Sequence, residues 1–207
     1  MHNVRNFRYE GELVVVKDYY DKIVDVRDIT SVDLVTYSFP DVGIDVIHSL
    51  LLFHFKDGST TTISVEARRE KDEMYNVIGS LFRAYELAYI FADGQDAISQ
   101  RVERGLVVYA LPLKLSQAER ALLFLTLAED AERIRLNPAF YNVLVNNCIY
   151  GTLQSVFAVS GDRDIYIRNV FSMVSVEGVY DYLFRVGLLD IPRELPPVSS
   201  FRVSERR

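Results

Sequence analysis

The chain of 207 residues holds one cysteine, Cys148, and three histidines, His2, His48 and His54. A thiol acts as a nucleophile once ionised, which requires a local field that favours the thiolate and a base within reach. Cys148 follows Asn146 and Asn147, and apolar residues recur after it at Ile149, Leu153, Val156 and Phe157. That spacing predicts a short amphipathic helix with Asn146 or Asn147 as its N-cap. Cys148 then falls in the first turn, where unpaired N–H groups and the positive end of the dipole favour a negative sulfur. The competing reading of a lone cysteine is a small buried hydrophobe.

The base and its orienting group come from a hairpin. Val46 to Phe55 is a long apolar strand, Lys56-Asp57-Gly58 is a turn signature, and Thr60 to Glu66 is a β-branched return strand. A three-residue loop with Gly58 left-handed pairs Phe55 with Ser59, Leu51 with Ile63 and His48 with Glu66. Opposite residues share a face, so the turn chemistry alone sets an imidazole beside a carboxylate, and a slip of one residue would separate them. The expected constellation is Cys148 as nucleophile, His48 as base and Glu66 as the group that fixes the imidazole tautomer. The Cys148 backbone N–H, with the side-chain amide of Asn147 or Asn146, would supply oxyanion donors. The charged run from Glu66 to Glu73 reads first as a solvated face, and second as a source of an arginine, Arg68 or Arg69, that binds a substrate carboxylate. His2 is terminal, and His54 is expected to face solvent or a sheet edge. A metal site of His48, His54 and Glu66 is disfavoured, because the two histidines lie roughly 20 Å apart along a strand. Neither a metal nor a cofactor is expected.

The elements around these residues read as α+β. Leu13–Val16, Val32–Tyr37 and Leu106–Leu113 look like strands, the last with Pro112 suggesting an edge. Tyr19 to Lys22 reads as a loop. A short helix fits residues 74–85, Glu86–Phe91 could extend it or form a strand, and Asp93-Gly94 ends either version. Ser116-Gln117-Ala118-Glu119 is a capping box opening a helix to about Leu136, which Asn137-Pro138 closes. Val176 to Val186 predicts the last helix, with an extended tail from about residue 191. The whole is read as one domain over 1–207.

Nearly half the chain (49%) is apolar and 25% is charged, which marks a folded globular protein. A formal charge of −6 argues against nucleic acid as the partner. No apolar run reaches the roughly 18 residues of a membrane span, and no segment at the N-terminus resembles a signal peptide. A single cysteine fits cytosol or periplasm equally, and nothing fixes the oligomeric state.

The order of histidine strand, acidic residue on the next strand, then Asn-Cys at a helix start resembles circularly permuted papain-like (NlpC-type) thiol enzymes. A closer resemblance is to the Lnb N-terminal periplasmic domain family of bacteria. It is carried by Arg5-Asn6-Phe7-Arg8-Tyr9, Thr30-Ser31-Val32-Asp33, His48-Ser49-Leu50-Leu51-Leu52-Phe53, Ile63 to Lys71, Phe82 to Leu87, Tyr141-Asn142 with Asn146-Asn147-Cys148, and Gly187-Leu188-Leu189-Asp190. The strings Glu66-Ala67-Arg68-Arg69-Glu70-Lys71 and Asn146-Asn147-Cys148 are the specific ones. The resemblance implies a permuted papain-like fold in which an antiparallel sheet packs against helices and His48, Glu66 and Cys148 converge. It also implies an envelope location. The expectation drawn from the residues is a cysteine-dependent hydrolase or acyltransferase acting on an amide or ester, and an envelope location makes a peptide or lipid-derived compound its substrate. The alternative is a non-catalytic envelope domain that uses the same groove to bind a peptide, lipid or protein. Such families usually carry a threonine-rich stretch after the cysteine, where this chain has Ile149-Tyr150-Gly151, so the pocket differs in shape.

Overall fold

The computed structural model describes residues 1–11, 13–39, 46–68, 84–142, 147–161 and 175–189. Its strands are β1 (Val4–Arg5), β2 (Arg8–Glu10), β3 (Leu13–Val16), β4 (Tyr19–Tyr20), β5 (Ile29–Phe39), β6 (Val46–Phe55), β7 (Thr60–Arg68), β8 (Glu86–Asp93) and β9 (Val108–Pro112). The helices are α1 (Gly94–Glu103), α2 (Gln117–Leu136), α3 (Cys148–Ser160) and α4 (Val176–Arg185). Seven strands form one sheet in the order β4-β1-β8-β7-β6-β5-β9, and β2 with β3 makes a separate ribbon. The pairing of β1 with β8 is parallel, so the sheet is mixed, not purely antiparallel as expected. Pro112 does lie on an edge strand, where its missing N–H breaks no ladder.

The long apolar strand β6 owes its composition to burial on both faces. Leu51, Phe53 and Phe55, with Ile63 of β7, pack against Leu123, Phe124 and Leu127 of α2, Leu153, Val156 and Phe157 of α3, and Leu183 of α4. Leu50 and Leu52 point the other way, into a smaller cluster with Val35, Tyr37, Val108 and Ile98 of α1. Each such side chain contributes about 1.5–3 kcal/mol by leaving water. The even-numbered face of β6 also carries His48.

The hairpin follows its turn chemistry. Phe55 N–H donates to the Ser59 carbonyl at 3.0 Å, Gly58 N–H donates to the Phe55 carbonyl at 2.9 Å, and Gly58 has φ 79°. Leu51 pairs with Ile63 and His54 with Thr60, which is the expected register. The capping box also forms: Glu119 N–H donates to Ser116 Oγ at 3.3 Å, and Ser116 N–H donates to the Glu119 carboxylate at 2.6 Å.

One expected element needs correction, and one left open between helix and strand is decided. Residues 86–93 are strand rather than a continued helix, and Asp93 ends that strand as expected while its side chain also caps a new helix, accepting from Gln95 N–H to start α1. Gly94 is required there, because a Cβ would strike the Thr60 side chain. Tyr19–Tyr20 is not a loop but a short strand paired with β1. The helix expected over 74–85 falls almost wholly outside the described residues, as does the tail from 191. Among the described residues, no helix is long and apolar enough to cross a membrane.

Candidate active site

Asn147 is the N-cap of α3, its side-chain oxygen accepting from Tyr150 N–H at 2.8 Å. This puts Cys148 at the first helical position, as the sequence predicts. The helix lies on the large-core face of the sheet, whereas His48 and Glu66 belong to the other face. The sulfur reaches them through a split in the sheet. The ladder between β6 and β7 ends at Leu50 with Ser64, although both strands continue beyond it. In the gap, Cys148 Sγ lies 4.0 Å from the Ile47 carbonyl oxygen and accepts a hydrogen bond from Ser49 N–H. Backbone groups of β6 that β7 would otherwise engage face the sulfur instead.

The structure brings Cys148, His48 and Glu66 together. His48 Nε2 stands 3.2 Å from Glu66 Oε1, and the His48 side chain is 8% exposed against 32% for Glu66. Ser64 sits between them. Its Oγ donates to Glu66 Oε1 at 2.6 Å and lies 2.9 Å from His48 Nε2. Since the Ser64 proton goes to the carboxylate, its oxygen accepts from an Nε2–H. Nδ1 is then the ring nitrogen left for the Cys148 sulfur, with which the imidazole shares a hydrogen bond.

A cation closes the row. Arg101 of α1 is 11% exposed, with Nη2 3.8 Å from Glu66 Oε1 and Nε donating to the Tyr37 hydroxyl at 3.0 Å. The Tyr37 ring lies under that guanidinium and beside the His48 ring, 5.3 Å between centroids. Tyr37 faces His48 because the two are paired across β5 and β6.

These neighbours set the charges. Burial works against an imidazolium at His48, but Glu66, with Tyr37 and Cys148, outweighs it and holds the ring well above its ordinary 6.5. Burial would raise Glu66, yet His48, then Arg101 and Ser64, bring it down to about 2. Burial would also raise the Cys148 thiol. The charge of His48 and its hydrogen bond pull the thiol below its ordinary value, assisted by Ser49 N–H and opposed by Glu66. These shifts all favour one arrangement of alternating sign along the row: thiolate, imidazolium, carboxylate, guanidinium.

Arg68 shares the face of Glu66 but is 70% exposed and paired with Glu86 at 2.9 Å. Arg69 and Asn146 lie outside the described residues. His54, partly exposed, has its Nε2 2.8 Å from Asp33 Oδ2 and lies six residues along β6 from His48. Sequence reasoning missed Ser64, Tyr37 and Arg101. Ser64 was readable, lying two residues before Glu66 and so on its face. Tyr37 required the β5–β6 register, and Arg101 sits on a helix that the Asp93-Gly94 signal concealed.

A second polar cluster ties the N-terminal segment to α1. Asp96, fully buried, receives Arg5 Nε at 2.9 Å, Arg5 Nη2 at 3.0 Å, Phe7 N–H at 2.8 Å and the Tyr9 hydroxyl at 3.1 Å. This gives the Arg5-Asn6-Phe7-Arg8-Tyr9 string a structural purpose.

No curated protein and no solved structure matches the chain. The model of the Lnb N-terminal periplasmic domain family matches residues 15–172, a span that includes His48, Ser64, Glu66, Arg101 and Cys148, and the chain belongs to that family.

Proposed function

We propose that this domain is a cysteine-dependent hydrolase or acyltransferase of circularly permuted papain-like design, cleaving an amide or ester bond in an envelope substrate. The observation that carries the reading is the convergence of Cys148, His48 and Glu66 at hydrogen-bonding range, an arrangement that favours a thiolate–imidazolium pair. Attack of the thiolate on a substrate carbonyl forms a C–S bond, and the backbone N–H of Cys148 stabilises the oxyanion. The His48 Nδ1 proton passes to the leaving nitrogen or oxygen as its bond to carbon breaks, leaving a thioester and a neutral imidazole. Water or an acceptor nucleophile then gives its proton to His48 and displaces the sulfur. Glu66 holds the ring throughout. Arg68, as the exposed cation on the Glu66 face, is the candidate to meet a substrate carboxylate, exchanging Glu86 for it.

The envelope location rests on the family, which is one of periplasmic domains, and it makes peptides and acyl-bearing lipids the substrate classes to test. The rival is a non-catalytic groove that binds such a ligand, and the burial of Cys148 favours it, since a substrate must open a way to the sulfur. Incubation with an activated acyl ester, followed by mass spectrometry, separates them. The enzyme reading expects a thioester on Cys148 that is absent in Cys148→Ser and strongly slowed in His48→Ala. Absence of acylation in the wild type supports the groove.

A further inference from the structure

The Ser64 hydroxyl is buried and stands between the imidazole and the carboxylate, 2.9 Å from His48 Nε2 and 2.6 Å from Glu66 Oε1. Its backbone is the better anchored of the two β7 residues. Ser64 is paired on both sides, with Leu50 of β6 and Ile90 of β8. Glu66 lies past the last β6–β7 pair and is held by the ladder on the β8 side, opposite Ala88. The carboxylate also has the longer side chain, with more rotamers to restrict. The fixed residue therefore aims the loose one.

We infer that Ser64 is a positioning residue, a hydroxyl bracket that fixes both the Glu66 carboxylate and the His48 ring so that Nδ1 faces the Cys148 sulfur. The inference rests on the thiol–imidazole reading above. Its logic is one of direction. An O–H that donates to Glu66 offers His48 only a lone pair, so Nε2 keeps its proton whether the ring is charged or neutral. The proton that moves during turnover is the one on Nδ1, and the Ser64 bonds need not change as it comes and goes. A ring flip would present a carbon to Ser64 and lose the bond. The other ionisable groups around this bracket are Tyr37 from β5, Cys148 from α3, Arg101 from α1 with Tyr9 of β2 beyond it, and Arg68 paired with Glu86.

The test uses the full chain and two variants, Ser64→Ala and Ser64→Thr, with two readings on each. The first is the rate of Cys148 alkylation by iodoacetamide against pH. The second is the titration midpoint of the His48 ring by NMR. Loss of the bracket in Ser64→Ala lowers the His48 midpoint, moves the acid limb of alkylation upward by up to about one pH unit, and slows alkylation near pH 6 about tenfold. Ser64→Thr, which keeps the hydroxyl, returns both readings to near wild type. Wild-type readings in Ser64→Ala overturn the inference, as does a Ser64→Thr protein as impaired as Ser64→Ala. An ordinary wild-type thiol sinks the catalytic reading itself, and the NMR midpoint still judges the bracket in that event: a drop in Ser64→Ala upholds it, and no change rejects it.

Discussion

Glu66 Oε1 lies 3.2 Å from His48 Nε2, at the point where β6 and β7 have just parted. A carboxylate there favours the imidazolium, and the imidazolium favours the thiolate. Glu66→Gln keeps the shape and removes the charge. It is expected to lower the His48 midpoint and to slow Cys148 alkylation near neutral pH about tenfold, the effect of about one pKa unit. Alkylation kinetics and the titration of the His48 ring check this, and an unchanged His48 midpoint would contradict the role of Glu66 in holding the imidazolium.

The same carboxylate makes a pH signature in stability. Its folded value, about 2, is below the ordinary 4.5, so its contribution is present above 4.5 and lost as pH falls through about 2. The stability gap between wild type and Glu66→Gln is therefore expected to be steady between 4.5 and 6.5, to close toward pH 2, and to narrow again as pH rises through the raised His48 value. Denaturant unfolding at several pH values measures the gap directly.

Arg101 is the cation that remains when His48 is neutral. Removing it leaves the Glu66–His48 pair holding its proton more tightly, so Arg101→Gln should raise the His48 midpoint, opposite in sign to Glu66→Gln. Arg101→Lys keeps the charge and should shift it less. A midpoint that falls in Arg101→Gln would contradict this ordering of charges.

Asp96 anchors the N-terminal segment through four donors, Arg5 supplying two of them. Asp96→Ala strands a largely buried guanidinium and is expected to lose about 3 kcal/mol of stability, read by denaturant unfolding. A loss below about 1 kcal/mol would show that the segment is held by other contacts.

Two helical glycines should respond in opposite ways. A Cβ on Gly151 would meet Val65 at 3.5 Å, an ordinary contact, so Gly151→Ala should stabilise α3 by about 0.5–1 kcal/mol. A Cβ on Gly94 would collide with Thr60, so Gly94→Ala should destabilise by about 1–3 kcal/mol. Thermal unfolding of the pair checks the packing on both sides of the sheet.

What the sequence reveals here is what local chemistry determines. Lys56-Asp57-Gly58 sets the hairpin register, and although the ladder stops at Leu50 with Ser64, short of the expected His48–Glu66 pair, the two side chains still meet on one face. Asn147 and the apolar spacing after Cys148 start α3 where expected, and Ser116 with Glu119 starts α2. What stays hidden depends on distant partners. β1 is too short to announce itself, and its parallel pairing with β8 exists because Arg5 meets Ala92 across the fold. Arg101 is mute in sequence, since its meaning comes from Tyr37 and Glu66 on other elements. The split that admits the sulfur is likewise a tertiary event: the β6 sequence gives no reason for its ladder to stop at Leu50.

The most direct test is the pH dependence of Cys148 alkylation in wild type and His48→Ala. The account predicts a wild-type thiol that ionises below its ordinary 9.0, and a His48→Ala thiol that reacts slowly until the pH reaches that range or above, since burial then outweighs what remains. A wild-type thiol that titrates like an ordinary cysteine, or one whose low value survives the loss of His48, would contradict it.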